Sequence, residues 1–178
     1  EITIPKEIDG YRVKTIAPYA FENCSSLTEA VLPETVNWIG DEAFKGCTGL
    51  KSITMESVSD IRLRVFEGCE NLENITFSTN LSSIGTDAFK GTAWLKEQQK
   101  ISPFVIVNGI LVSISVSDAY IEIPEGVTIL TESAFSDCED TTRIKLPKSL
   151  SSYASAEVSL HACKNLKEIL VDADNPWL

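Results

Sequence analysis

The sequence predicts an α/β repeat solenoid of about seven rungs, each 22–23 residues long, interrupted by one irregular unit that contains a hairpin. Three observations carry this expectation. A phrase recurs along the chain: "AFENCSSL" at 20–27, "AFKGCTGL" at 43–50, "VFEGCENL" at 65–72, "AFKGTAWL" at 88–95 and "AFSDCEDT" at 134–141. Its phenylalanines (Phe21, Phe44, Phe66, Phe89, Phe135), with Leu160 as a degenerate sixth member, are spaced 23, 22, 23, 46 and 25 residues apart, and 46 is two periods of 23. Between phrases the apolar residues alternate, a period-2 pattern that suits short strands. A unit of this length cannot bury its apolar face alone, so like units must stack on one another.

Each element follows from the pattern. After the leucine of each phrase come "TEAVLP", "KSITME", "ENITFS", "TRIKLP" and "KEILVD", which read as short strands, two of them closed by proline. An apolar pair three residues apart follows: Val36 and Ile39, Val58 and Ile61, Leu81 and Ile84, Val127 and Leu130, with Val13 and Ile16 in the first unit. "GDEAF" and "GTDAF" then suggest a turn into a single helical turn, which would set Phe, Cys and Leu on one face. The period breaks at 93–118. There "AWLKEQQK" predicts one or two helical turns ending near Ser102-Pro103, and "FVIVNGILVSI" predicts a hairpin about Asn-Gly. The hairpin reads foremost as a modified rung and secondly as a protruding binding element. One domain is expected over 1–178, with repeats at 1–95 and 119–178 and the irregular unit at 96–118. Opening on "EITIP" without Met and ending on "DADNPWL", the chain reads as part of a longer protein.

Composition narrows the partners. Net charge is −11 and the 15 lysines and arginines are scattered singly, which argues against nucleic acid and anionic membrane surfaces. No apolar run approaches the length of a membrane span. Cys24, Cys47, Cys69, Cys138 and Cys163 lie at least 22 residues apart and share one slot of the repeat, without any C-x-x-C pair. That spacing favours small buried packing residues over zinc ligands or disulfides, and Thr92 in the same slot agrees. The single histidine, His161, has no evident nucleophile to serve, and no G-x-S-x-G or phosphate-cradling loop is present. No enzyme, cofactor or metal is expected.

Units such as "LPETVNWIGDEAFKGCTGLKSI", the opening "IPKEIDGYRVKTIAPYAF" and the closing "NPWL" resemble the BspA-like (Treponema-type) leucine-rich repeat family, over all of the chain except roughly 96–118. The resemblance implies a leucine-rich-repeat right-handed superhelix. It also implies a non-catalytic protein-protein interaction or adhesion module of a bacterial cell-surface or secreted protein. A structural spacer presenting another domain is the alternative, and carbohydrate is not excluded as a ligand. In stacked strands alternate residues face outward and form columns. One expected column is Thr3, Val31, Thr54, Thr76, Glu122, Lys145 and Leu170; its neighbour is Glu1, Glu29, Ser52, Asn74, Tyr120, Arg143 and Glu168. These columns are the candidate binding residues, with a solvated sheet face as the plainer reading of any one of them.

Overall fold

The structure is a computed structural model describing residues 1–151 and 160–171. The chain forms two compact units, Glu1–Gln98 and Gln99–Leu178. Unit 1 contains β1 (Ile2–Thr3), β2 (Glu7–Ile8), β3 (Tyr11–Arg12), β4 (Thr15–Ile16), β5 (Glu29–Val31), β6 (Trp38–Ile39), β7 (Ser52–Met55), β8 (Asp60–Ile61), β9 (Asn74–Phe77) and β10 (Ser83–Ile84). Helix α1 (Ala93–Ile101) crosses the boundary. Unit 2 contains β11 (Phe104–Val107), β12 (Ile110–Ile114), β13 (Tyr120–Glu122), β14 (Ile129–Leu130), β15 (Arg143–Leu146) and β16 (Glu168–Val171).

Unit 1 is a solenoid of four stacked repeats. The alternating runs form the parallel sheet β1-β5-β7-β9, in which Ala30 pairs with Ile2 and Ile53, and Ile53 with Ile75. Ala30 and Ile53 point inward and are buried. The apolar pairs do more than expected. Ile16, Ile39, Ile61 and Ile84 each end a two-residue strand, and these form a second parallel sheet, β4-β6-β8-β10. A two-residue strand leaves no alternation to read, so the sequence pattern is silent about it.

The single helical turn expected at "GDEAF" is not formed. Two positions in each repeat of unit 1 take left-handed backbone: Tyr19, Glu42, Arg64 and Asp87 two residues before the Phe, and Asn23, Gly46, Gly68 and Gly91 two residues after it. A right-handed helical turn cannot contain such residues. Instead the amides there alternate in direction. Phe21, Phe44 and Phe66 donate their N–H to Ala43, Val65 and Ala88 of the next rung, at 2.8, 3.0 and 2.8 Å. The left-handed residues on either side do likewise, as in Tyr19 to Asp41 (3.0 Å) and Gly46 to Glu67 (2.8 Å). Intervening residues close i→i−3 turns, such as Cys47 N–H to the Phe44 carbonyl at 3.1 Å. Left-handed backbone costs a residue with a side chain about 1 kcal/mol, and Glu42 and Arg64 offset part of it. Their side chains pair across rungs at 3.4 Å, and Lys45 bridges Glu42 at 2.9 Å and Glu67 at 3.4 Å.

Inside this frame the phenylalanines stack. Ring centroids are 5.0 Å apart for Phe21–Phe44 and 5.6 Å for Phe44–Phe66 and Phe66–Phe89, all nearly parallel. The column ends within unit 1 on Trp94, 4.9 Å from Phe89, with Phe77 set edge-on to both. Thr92 explains why the repeat stops there. Its hydroxyl accepts the Leu95 N–H at 3.1 Å and donates to the Phe89 carbonyl at 2.7 Å, so the residue in the cysteine slot caps the N-terminus of α1.

The cysteines are all free thiols. Cys47 and Cys69 donate S–H to the carbonyls of Phe21 and Phe44 in the preceding rung, both at 3.0 Å, a polar anchor in addition to packing. Burial pushes the Cys138 thiol up to about 12 and raises Cys163 in the same direction. Cys24, in the first repeat, is half-buried where the other four are buried.

In unit 2 the hairpin forms as expected. Asn108 and Gly109 adopt φ of 50° and 79°, joining β11 to β12. Strand β12 is buried throughout and pairs in parallel with β14, Ile110 with Ile129 and Leu111 with Leu130. Ile114 donates to the Ala134 carbonyl at 2.9 Å, the bond that phenylalanine makes in unit 1. The hairpin is therefore a remodelled rung, and its protruding alternative does not fit the burial of β12. Strands β13, β15 and β16 form a second parallel sheet over a core that includes Ile121, Phe135, Cys138, Ile144 and Leu160.

Two outcomes follow. A methyl at Gly85 would lie 2.5–2.7 Å from the backbone of Arg62 and Leu63, so Gly85→Ala should lower stability by about 1–3 kcal/mol, read as a reduced urea midpoint. An aromatic disulfide reagent should titrate Cys24 first in the native protein and reach all five thiols only after denaturation.

Candidate binding face

Within unit 1 the outward columns fall where strand alternation puts them. Thr3 pairs with Val31, Val31 with Thr54 and Thr54 with Thr76; Glu29 pairs with Ser52 and Ser52 with Asn74. Glu1 precedes β1, its ammonium 3.4 Å from the Thr28 hydroxyl. Thr3, Asn74 and Thr76 are exposed, while Glu29, Val31, Ser52 and Thr54 are half-buried. The face is built of short side chains and carries one charge, Glu29, within its strands.

At the C-terminal ends of β1, β5 and β7 this face opens into a cavity of about 350 Å³. Thr3, Val31 and Thr54 line it, together with Pro5 and Pro33. The prolines that close the first two strands thus become apolar walls, having no N–H to present to a further ladder. Lys6 and Glu34 form an ion pair at its margin, and that contact holds the Glu34 carboxyl below the usual carboxylate range.

Unit 2 brings its share of the columns together differently. Tyr120 pairs with Arg143 and Arg143 with Glu168; Glu122 pairs with Lys145 and Lys145 with Leu170. Their functional groups then engage one another. Lys145 Nζ lies 2.6 Å from Glu122, the Tyr120 hydroxyl donates to Glu122 at 3.3 Å, and Arg143 Nε lies 2.7 Å from Glu168. The Arg143 guanidinium also stands 5.4 Å above the Tyr120 ring. The Lys145 hydrogen bond lowers the Glu122 carboxyl. In unit 2 the charged residues of these columns engage one another, whereas the unit 1 columns carry short side chains with one charge, Glu29, beside a cavity that Lys6, Glu34 and Glu56 also line.

Chemistry of other kinds finds little support among the described residues. No group of three or more His, Cys, Asp and Glu could hold a metal ion there. His161 is exposed while Cys163, two residues on, is buried. No described helix is long and apolar enough to cross a membrane.

The cavity residues outside the columns, Ile4, Pro5, Lys6, Leu32, Pro33, Glu34 and Glu56, are ones that alternation could not nominate, because they lie past the strand ends. Proline after β1 and β5 was the available signal. Lys145→Met should return the Glu122 carboxyl toward its ordinary value, seen as an upward move of its side-chain NMR titration midpoint.

Comparison with known proteins agrees with the repeat architecture. The family profile of the BspA-type leucine-rich repeat region matches residues 1–106 and 114–175 in six copies. Among solved structures, the chain resembles a leucine-rich repeat protein of T. pallidum at 27% identity and a TM-score of 0.55, covering 95% of this chain and 68% of that one. It also resembles a leucine-rich repeat protein of Bacteroides ovatus at 28% identity and a TM-score of 0.51, covering 97% of this chain and 48% of that one. A search of curated proteins finds no match. With the recurring phrase, the parallel rungs and a profile that spans most of its length in agreement, the chain belongs to the BspA-type leucine-rich repeat family.

Proposed function

We propose that this chain is a non-catalytic protein-binding or adhesion module of a bacterial cell-surface or secreted protein, and that it engages its partner through the strand face of unit 1. Leucine-rich repeat domains generally mediate protein interactions, and membership of the family is the background to the reading. The observation that carries it is the contrast between the two sheets. In unit 1, Thr3, Val31, Thr54 and Thr76 form a file of short side chains leading past a cavity with apolar walls. No ion pair joins the residues of this file to one another; the Lys6–Glu34 pair stands at the cavity margin, outside it. The unit 2 face, with its groups already engaged, favours a spacer role for that part of the chain.

The test is retention on a panel of immobilised purified extracellular-matrix proteins. A triple variant, Val31→Lys, Thr54→Lys and Thr76→Lys, should weaken any retention of the wild type by about tenfold or more. A triple alanine variant at Glu122, Arg143 and Lys145 should bind like the wild type. Binding indifferent to the unit 1 variant, or no binding by the wild type, would leave the spacer role as the function.

A further inference from the structure

The cavity on the strand face has a neighbour. A second cleft, of about 610 Å³, lies between the β2–β3 hairpin and the start of the second sheet, and it shares Lys6 and Glu34 with the first. Its formation follows from the local sequence. Asp9 and Gly10 take φ of 51° and 82°, the two left-handed positions of a tight hairpin turn, and fold β3 back beside β2. The Val13 N–H then bonds the Lys6 carbonyl at 2.9 Å, and the Asn37 N–H bonds the Lys14 carbonyl at 3.0 Å. Three cations that stand apart in the sequence, Lys6, Arg12 and Lys14, thereby come to line one cleft.

Their electrostatic states differ. Lys6 is held by Glu34, through a bridge whose side chains are 67% and 62% exposed. Such an exposed pair contributes little to stability, and it cancels one cation against one acid in the cleft. Arg12 and Lys14 have no ion-pair partner among the described residues. Glu7, the cross-strand neighbour of Arg12, lines the cleft without pairing to it. With Lys6 and Glu34 paired, Arg12 and Lys14 outweigh the single acid Glu7 and leave this cleft locally positive on a chain of net charge −11, while Glu56 lines the adjoining cavity.

We propose that the two cavities form one groove whose occupant is an extended acidic peptide segment of a partner protein. An apolar side chain sits between Pro5, Pro33 and Val31, and an Asp or Glu a few residues along is received by Arg12 and Lys14. The Lys6–Glu34 bridge lies between the two subsites and stays closed, which keeps Glu34 neutralised beside the incoming carboxylate. The local excess of Arg12 and Lys14 over Glu7 selects the acid at that end of the groove, and the proline-walled cavity selects a peptide over a sugar acid. Tyr11, the aromatic residue of the hairpin, is 80% exposed and is not among the residues that line the cleft, whereas its neighbours in the ladder Arg12 and Glu7 are. This proposal rests on the strand-face reading above and adds the chemistry of the partner.

The probe is a random peptide library displayed on phage, selected on the full chain at low salt. Selected peptides are then measured against the wild type, Arg12→Glu/Lys14→Glu and Thr54→Lys, with thermal melting to confirm that each variant folds. Enrichment of an apolar residue followed closely by Asp or Glu, with binding weakened about tenfold by both variants and by added salt, is the expected result. Loss with Thr54→Lys alone overturns the groove and spares the strand face. Loss with the charge reversal alone makes the basic cleft an independent site and overturns the continuous groove. Selection without acidic enrichment, or no selected binders, overturns the acidic peptide occupant and leaves the strand face to the retention assay above, while binding indifferent to both variants overturns groove and strand-face reading together. Binding of uronate or sialyl glycans on an array, abolished by Arg12→Glu/Lys14→Glu, would replace the peptide with a sugar acid.

Discussion

Every rung of unit 1 must return its backbone to the same place, because alternate amides of the turn layer find their hydrogen-bond partners one rung away. Each buried amide left unpaired would cost about 1–3 kcal/mol. The amides at the Phe position and on its two flanks donate forward, from Tyr19, Phe21 and Asn23 to Asp41, Ala43 and Lys45, and so on through the next two steps of unit 1. That ladder sets the 22–23-residue period and demands left-handed backbone at two places per repeat. The glycines after the phenylalanine meet one demand without strain. Glu42 and Arg64 meet the other, with cross-rung ion pairs in return. Phenyl stacking and thiol-to-carbonyl bonds fill the space the ladder encloses.

Seen this way, Thr92 marks a change of structural programme. The same slot that elsewhere holds a buried thiol there holds a hydroxyl able both to donate backward and to cap a helix. One oxygen closes the aromatic column of unit 1 and starts α1, and Trp94, held by its N–H to the Leu72 carbonyl at 2.7 Å, covers the last ring. Beyond it β12 resumes the parallel pairing with Ile114 in the phenylalanine's role.

The sequence made the period, the long strands and the Asn-Gly hairpin legible, since each leaves a repeated or local chemical mark: the spacing of Phe21 to Phe89, the alternation in "KSITME", the turn residues 108–109. The second sheet was not legible, because two residues such as Trp38 and Ile39 give no alternation. The turn layer was misread as helical because Gly, acid and Ala near a Phe suit either conformation. Only the cross-rung bonds decide between them. Strand alternation also placed the outward columns, but it could not distinguish the two faces. Whether Arg143 points at a ligand or at Glu168 depends on the neighbouring rung, which is a fact of three dimensions. The cleft lined by Lys6, Arg12 and Lys14 was hidden for the same reason. A hairpin of two-residue strands about Asp9-Gly10 gathers charges that look scattered in a linear count.

The forward direction of the turn-layer amides gives unit 1 a head and a tail. Each rung shows a row of N–H groups on one side and a row of carbonyls on the other, so two rungs can join in one sense only. Any internal rung therefore exposes the same pair of surfaces as the seam left by removing it. Duplicating or excising one whole period preserves the joint, and the 22-residue step from Phe44 to Phe66 keeps the row as well, whereas a gain or loss inside the stretch 19–23 or its counterparts misaligns the amides at once. A chain built this way can lengthen its outward face by copying without redesigning its interior.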